Sequence, residues 1–148
     1  MAALFRIIMM VVGYIWACIA ASLVLTLGTL TPQWNDVFDA FGVQSPQQQS
    51  AAVWMVVGLG ALIIAIVALL PALLVIVLTE GLALRSVVVY GLIGGFLALV
   101  MAYGLNFSGF AAPPGSDLAR EREVFAAAGI AGGLVYWLFA GRQAGSWR

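Results

Sequence analysis

Residues 51–78 read AAVWMVVGLGALIIAIVALLPALLVIVL, without one charged or amide side chain. A helix over this stretch reaches roughly 40 Å, against about 30 Å of hydrocarbon in a bilayer. Tilt absorbs part of the excess. Pro71 offers a second route, because it removes one backbone donor and kinks the helix there. A run this long and this apolar has oil rather than water as its solvent.

Three further stretches share the character, at about 7–30, 86–107 and 123–141. Each has at least the ~18 residues expected of a spanning helix. No Asp, Glu, Lys or Arg falls in the central part of any of the four. Across all 148 residues, 64% are hydrophobic and 8% are charged. A soluble domain carries about 25% charged residues, so this chain in water would present one continuous apolar exterior. The expected fold is all-α: one domain over 1–148, an integral membrane four-helix bundle with a short interfacial amphipathic helix on the outer side. The run after Arg6 is too long for the core of a secretory signal and reads as an uncleaved first helix.

That outer helix is expected over 32–41. Thr31 is placed as N-cap and Pro32 at the first helical position. Trp34, Val37, Phe38 and Phe41 recur at helical spacing and make Trp34, Phe38 and Phe41 candidate partner contacts. Gly42 ends the helix, and Gln44 to Ser50 reads as a polar connector. Thr79 to Arg85 reads as a tight inner turn, and Pro113-Pro114-Gly115 as the turn before a helix capped by Ser116.

Arginines set the expected sidedness. With the N-terminus inside, Arg6, Arg85, Arg142 and Arg148 lie on the cytoplasmic side and Arg120 and Arg122 outside. Trp34, Trp54, Tyr103, Phe107 and Phe125 then fall at outer boundaries, and Tyr90, Tyr136, Trp137 and Trp147 near the inner one. Tyr14 and Trp16 lie deeper and are expected to pack against another helix.

The most specific pattern is a glycine cluster used twice. Gly91, Gly94 and Gly95 stand in one helix, and Gly129, Gly132 and Gly133 in another, both as G-x-x-G-G before a bulky residue. Such positions share a helix face and let a neighbouring backbone come close. These six are the expected helix-packing residues, within the bundle or against a partner helix. Gly13, Ala17 and Ala21 form a similar track on the first helix, and Gly58, Ala61 and Ala65 on the second. Cys18, Ser22 and Thr26, with Thr29, make a mild polar stripe whose hydroxyls are expected to bond back to the carbonyl four residues earlier.

Catalytic constellations are not found. His and Lys are absent, and Cys18 is the only cysteine. No Ser or Cys therefore has a His partner, and no thiol pair or phosphate-binding loop exists. Asp36 and Asp39 share a helix face and read as a solvated surface. No cofactor, no metal, no nucleic-acid partner and no enzymatic activity are expected. Coupled carriers place an ionisable group in the bilayer, which argues against an ion-coupled exchanger; a channel lined by hydroxyls and carbonyls stays open.

The closing stretch 128–145, AGIAGGLVYWLFAGRQAG, resembles the last helix of uncharacterised small four-span inner-membrane proteins of α-proteobacteria, most specifically at Tyr136-Trp137 and Ala140-Gly141-Arg142. The resemblance implies a bacterial inner membrane and carries no activity or site residue with it. The expected role is a non-catalytic accessory, assembly or structural subunit packing against a larger membrane complex or its own copies, with both termini cytoplasmic. A small passive transporter or channel is the alternative.

Overall fold

The computed structural model describes residues 2–30, 34–40, 42–43, 45–81, 86–104 and 118–140. They form α1 (Ala2–Leu30), α2 (Trp34–Ala40), α3 (Pro46–Val67), α4 (Leu69–Gly81), α5 (Val87–Gly104) and α6 (Leu118–Phe139), with no strand among them. Among the described residues, three segments are long and apolar enough to cross a membrane: Ile7–Thr29, Pro46–Val67 and Arg122–Phe139. Two apolar helices are shorter, Leu69–Leu78 and Val87–Tyr103. The expected second span, 51–78, is therefore two helices.

The division follows from Pro71. The Ala68 amide donates to the Ile64 carbonyl at 2.8 Å and closes α3. The Ala72 amide donates to the Ala68 carbonyl at 2.8 Å and opens α4. Between these bonds, Pro71 has no N–H to offer the Val67 carbonyl four residues earlier. The helical ladder is interrupted at that rung, at Ala68.

The start of α3 corrects the expected connector. Ser45 sits in extended backbone as N-cap, Pro46 opens the helix, and the Ser45 hydroxyl accepts from the Gln48 amide at 3.3 Å. The Gln48 side chain returns the bond, accepting from the Ser45 amide at 3.4 Å. This capping box satisfies two donors that a helix N-terminus otherwise leaves unpaired. Residues 46–50 are thus the first turn of α3 rather than a linker.

The short α2 ends at Gly42, whose φ of +64° is the left-handed backbone that glycine adopts without a steric cost. The Val43 amide reaches the Phe38 carbonyl at 2.8 Å, and the Gly42 amide reaches the Asp39 carbonyl at 3.2 Å. Both bonds belong to a Schellman ending. The expected caps at Thr31, Pro32 and Ser116, the turn at Pro113-Pro114-Gly115 and the arginines at 85, 142 and 148 lie outside the described residues.

The helices pack in a row: α5 along α6, α6 along α1, and α1 along α3. The residues sealed between them are mostly small, namely Cys18, Ser22, Thr26, Val57, Ala61 and Ala128, with Tyr90 as the one large exception. Large apolar side chains face outward instead, among them Leu59, Leu62 and Ile66 of α3, Leu70, Leu74 and Val77 of α4, and Leu92 and Phe96 of α5. A protein folded in water has the opposite arrangement.

Pro71→Ala restores a donor opposite the Val67 carbonyl. The expected outcome is one continuous helix through residue 68, read as slower amide hydrogen exchange over 67–72 in detergent micelles.

Candidate functional site

The seam between α1 and α3 is made by hydroxyls. The Tyr14 hydroxyl donates to the Ala65 carbonyl, and the buried Ser22 hydroxyl to the Val57 carbonyl, both at 2.8 Å. Eight residues forward on α1 correspond to eight back on α3, so the two helices run antiparallel in a fixed register. Of the expected local bonds, the one from Thr29 to the Leu25 carbonyl forms, at 2.7 Å. Ser22 instead spends its hydroxyl on the neighbouring helix. Of the second-helix track, Ala61 is buried and the Ala65 carbonyl meets Tyr14, but Gly58 is turned away. Gly60 faces Ser22 with no room for a Cβ, whereas a Cβ on Gly58 meets nothing within 4 Å.

Around α6 the glycines divide between two neighbours. Gly129 and Gly133 lie against α5: a Cβ on Gly129 would strike the Gly94 carbonyl oxygen, and one on Gly133 the Tyr90 carbonyl oxygen. Gly94 reciprocally abuts the Gly129 carbonyl. Gly132 faces α1, where a Cβ would stand 3.2 Å from the Ala17 carbonyl oxygen and 3.5 Å from the Ala21 Cβ. A Cβ on Gly95 would stand 2.9 Å from Ile130, and one on Gly91 would have ordinary clearance, 3.6 Å from Leu134. On α1, a Cβ on Gly13 would stand 3.1 Å from Phe139, and one on Gly28 would strike Val124.

Aromatic contacts tie the same elements. Trp16 stacks on Phe139 with centroids 6.2 Å apart and planes 7° apart. Tyr90, expected at the inner boundary, is buried and faces Tyr136 with centroids at 5.9 Å. The Arg122 guanidinium lies 5.0 Å from the Tyr103 ring centroid, joining the end of α5 to the start of α6. Cation–π contact of this kind at an exposed site is worth about 0.5–1 kcal/mol. On α2, Trp34 stacks on Phe38 at 5.2 Å, and Asp39 is exposed. Phe41 lies outside the described residues.

The row of helices curls around a part-open cavity of about 380 Å³. One wall is α1, from Tyr14 to Thr29, carrying Cys18, Ser22 and Thr26. Ile63, Ile64 and Val67 of α3 stand on one side with Val75 and Ile76 of α4; Ile93, Leu97 and Met101 of α5 stand on the other. Gly129, Gly132 and Gly133 lie at the floor. The lining is almost wholly apolar. Among its polar side chains, Tyr14, Ser22 and Thr29 each donate to a backbone carbonyl, whereas Thr26 is 5% exposed and its hydroxyl makes no hydrogen bond among the described residues. Sealed polar atoms without a partner are also absent among those residues, so the Thr26 oxygen borders the open space. Among the described residues no three His, Cys, Asp or Glu side chains gather as metal ligands.

Comparison of the chain with protein-family models, with curated proteins and with solved structures finds no match.

Two sets of substitutions follow from these contacts. Gly94→Ala, Gly129→Ala and Gly133→Ala each press a methyl onto a facing backbone and are expected to cost about 1–3 kcal/mol. Gly58→Ala meets open space and is expected to hold or raise stability, alanine being the better helix former. Thermal unfolding in a single detergent ranks all four. Ser22→Ala deletes one interhelical bond and is expected to cost about 0.6–1.7 kcal/mol, measured in the same assay.

Proposed function

We propose that this chain is a non-catalytic membrane protein with four crossings, serving as an accessory subunit of a larger membrane assembly. The apolar helix Val87–Tyr103 is taken as the fourth crossing, since its ~26 Å length is close to the hydrocarbon thickness. The bacterial inner membrane, with both termini cytoplasmic, is part of the proposal and rests on the sequence resemblance and the arginine bias.

The observation that carries the reading is the unpaired side of α5. Val88, Leu92, Phe96 and Val100 form one stripe along it, all exposed, on a helix whose main packing partner within the chain is α6. Phe96 at its middle is aromatic, the residue class enriched where proteins meet. The polar groups meanwhile serve the fold, with Tyr14 and Ser22 both committed to α3 carbonyls.

The second reading, a small passive transporter or channel, draws on the cavity. Its apolar lining counts against passage of water or ions, which need polar groups to replace hydration. A flux assay in reconstituted vesicles separates the two readings: passage of a solute favours the second.

Photoreactive residues at Leu92 and Phe96 test the first reading, with Leu74 on α4 as a lipid-facing control. Cross-linking to a protein from 92 and 96 is the expected result, together with recovery of a complex by native mass spectrometry. Recovery of the monomer alone, with cross-links only to lipid, overturns the accessory role.

A further inference from the structure

We infer that the central cavity is a binding site for one acyl chain, with the carbonyl at the head of that chain accepting a hydrogen bond from Thr26. This rests on the chain lying in a membrane and is independent of the accessory role.

Size and shape come first. A space of about 380 Å³ lies within the range of roughly 300–1,000 Å³ in which ligand sites occur. It runs along α1 from Tyr14 to Thr29. That distance is about 22 Å, longer than one leaflet's share of the ~30 Å hydrocarbon core. An extended hydrocarbon chain entering from one leaflet fits a space of that length.

The lining then selects the occupant. Ile63, Ile64, Val67, Ile93, Leu97 and Met101 offer dispersion contacts and no hydrogen bonds. Water is disfavoured there, because a stable internal water needs two to four polar partners and an apolar cavity stays dry. The helices α3 and α4 on one side and α5 on the other do not close the gap by packing along one another. Hydrocarbon from the surrounding bilayer is the material at hand to fill it.

Thr26 gives the occupant a direction. Its neighbours in the stripe are engaged, Ser22 with the Val57 carbonyl and Thr29 with the Leu25 carbonyl. Thr26 as a residue is 5% exposed, its oxygen opens onto the cavity, and it makes no hydrogen bond among the described residues. A donor that faces hydrocarbon without a partner is costly, so a carbonyl acceptor there is stabilised. Thr26 also lies about 6 Å along the helix from its end at Leu30, one turn inside, where an ester or acid carbonyl at the head of a chain arrives.

The full chain reconstituted in nanodiscs provides the test. One arm contains a phosphatidylcholine with a diazirine in one acyl chain; the other contains the same diazirine on a free fatty acid. Cross-linked peptides should carry the label at Ile64, Leu97 or Met101. The arm that labels identifies the source of the chain, and either one supports the site. Ala72→Phe and Ala102→Phe, which place rings into the cavity, should abolish that labelling while leaving labels at Leu70 and Leu74 unchanged. Thr26→Val, close to isosteric, should weaken retention of the chain by about two- to tenfold, the worth of one hydrogen bond. Labels confined to outward residues in both arms, or cavity labels unaffected by the two phenylalanines and by Thr26→Val, overturn the inference. Should the phenylalanine variants fail to fold, the labelled positions in the native chain and the Thr26→Val ratio decide it.

Discussion

Large apolar side chains are turned outward, and that leaves the helices to meet through their smallest residues. The interior contains Cys18, Ser22, Thr26, Ala61 and Ala128, while Leu62, Ile66, Leu70 and Phe96 face away. In water such an arrangement has no driving force, because the hydrophobic effect would reverse it. In hydrocarbon a buried leucine and an outward one are nearly equivalent, and contact distance decides how strongly helices associate. Everything else in the structure follows from that constraint. Carbonyls of one helix come within reach of hydroxyls and α-carbons of the next, as Val57 does for Ser22 and Tyr90 for Gly133.

The same constraint accounts for the cavity. Small residues bring α5, α6, α1 and α3 together in a row, yet leave too little side-chain volume at its concave side to fill the space there. Ile63 and Val67 on one bank and Leu97 and Met101 on the other line the gap without bridging it. Close packing and incomplete filling are thus two results of one choice of residue size.

Helix positions were legible in the sequence because apolar run length is a one-dimensional property. The runs near 7–30, 51–78 and 123–141 overlap the three segments long enough to span among the described residues, and Pro71 marks the neighbourhood of the break at Ala68. At the start of α3 the spacing of Ser45, Pro46 and Gln48 is that of a capping box, but the run of glutamines around it has the composition of a connector and masks the signal. Rotational phase was not legible. Gly58 and Gly60 are equally small, and only the position of α1 decides that Gly60 meets Ser22. Nor does a local pattern reveal that Ser22 bonds 35 residues away while Thr29 bonds four residues back. The cavity depends on the order of the whole row, information that no single helix contains.

The contact between Arg122 and Tyr103 fastens α5 to α6 at the mouth of their connection. Tyr103 and Arg122 hold one end of the two helices together, so the close contacts farther along them, Gly94 against Gly129 and Tyr90 against Gly133, begin from a fixed rotational setting.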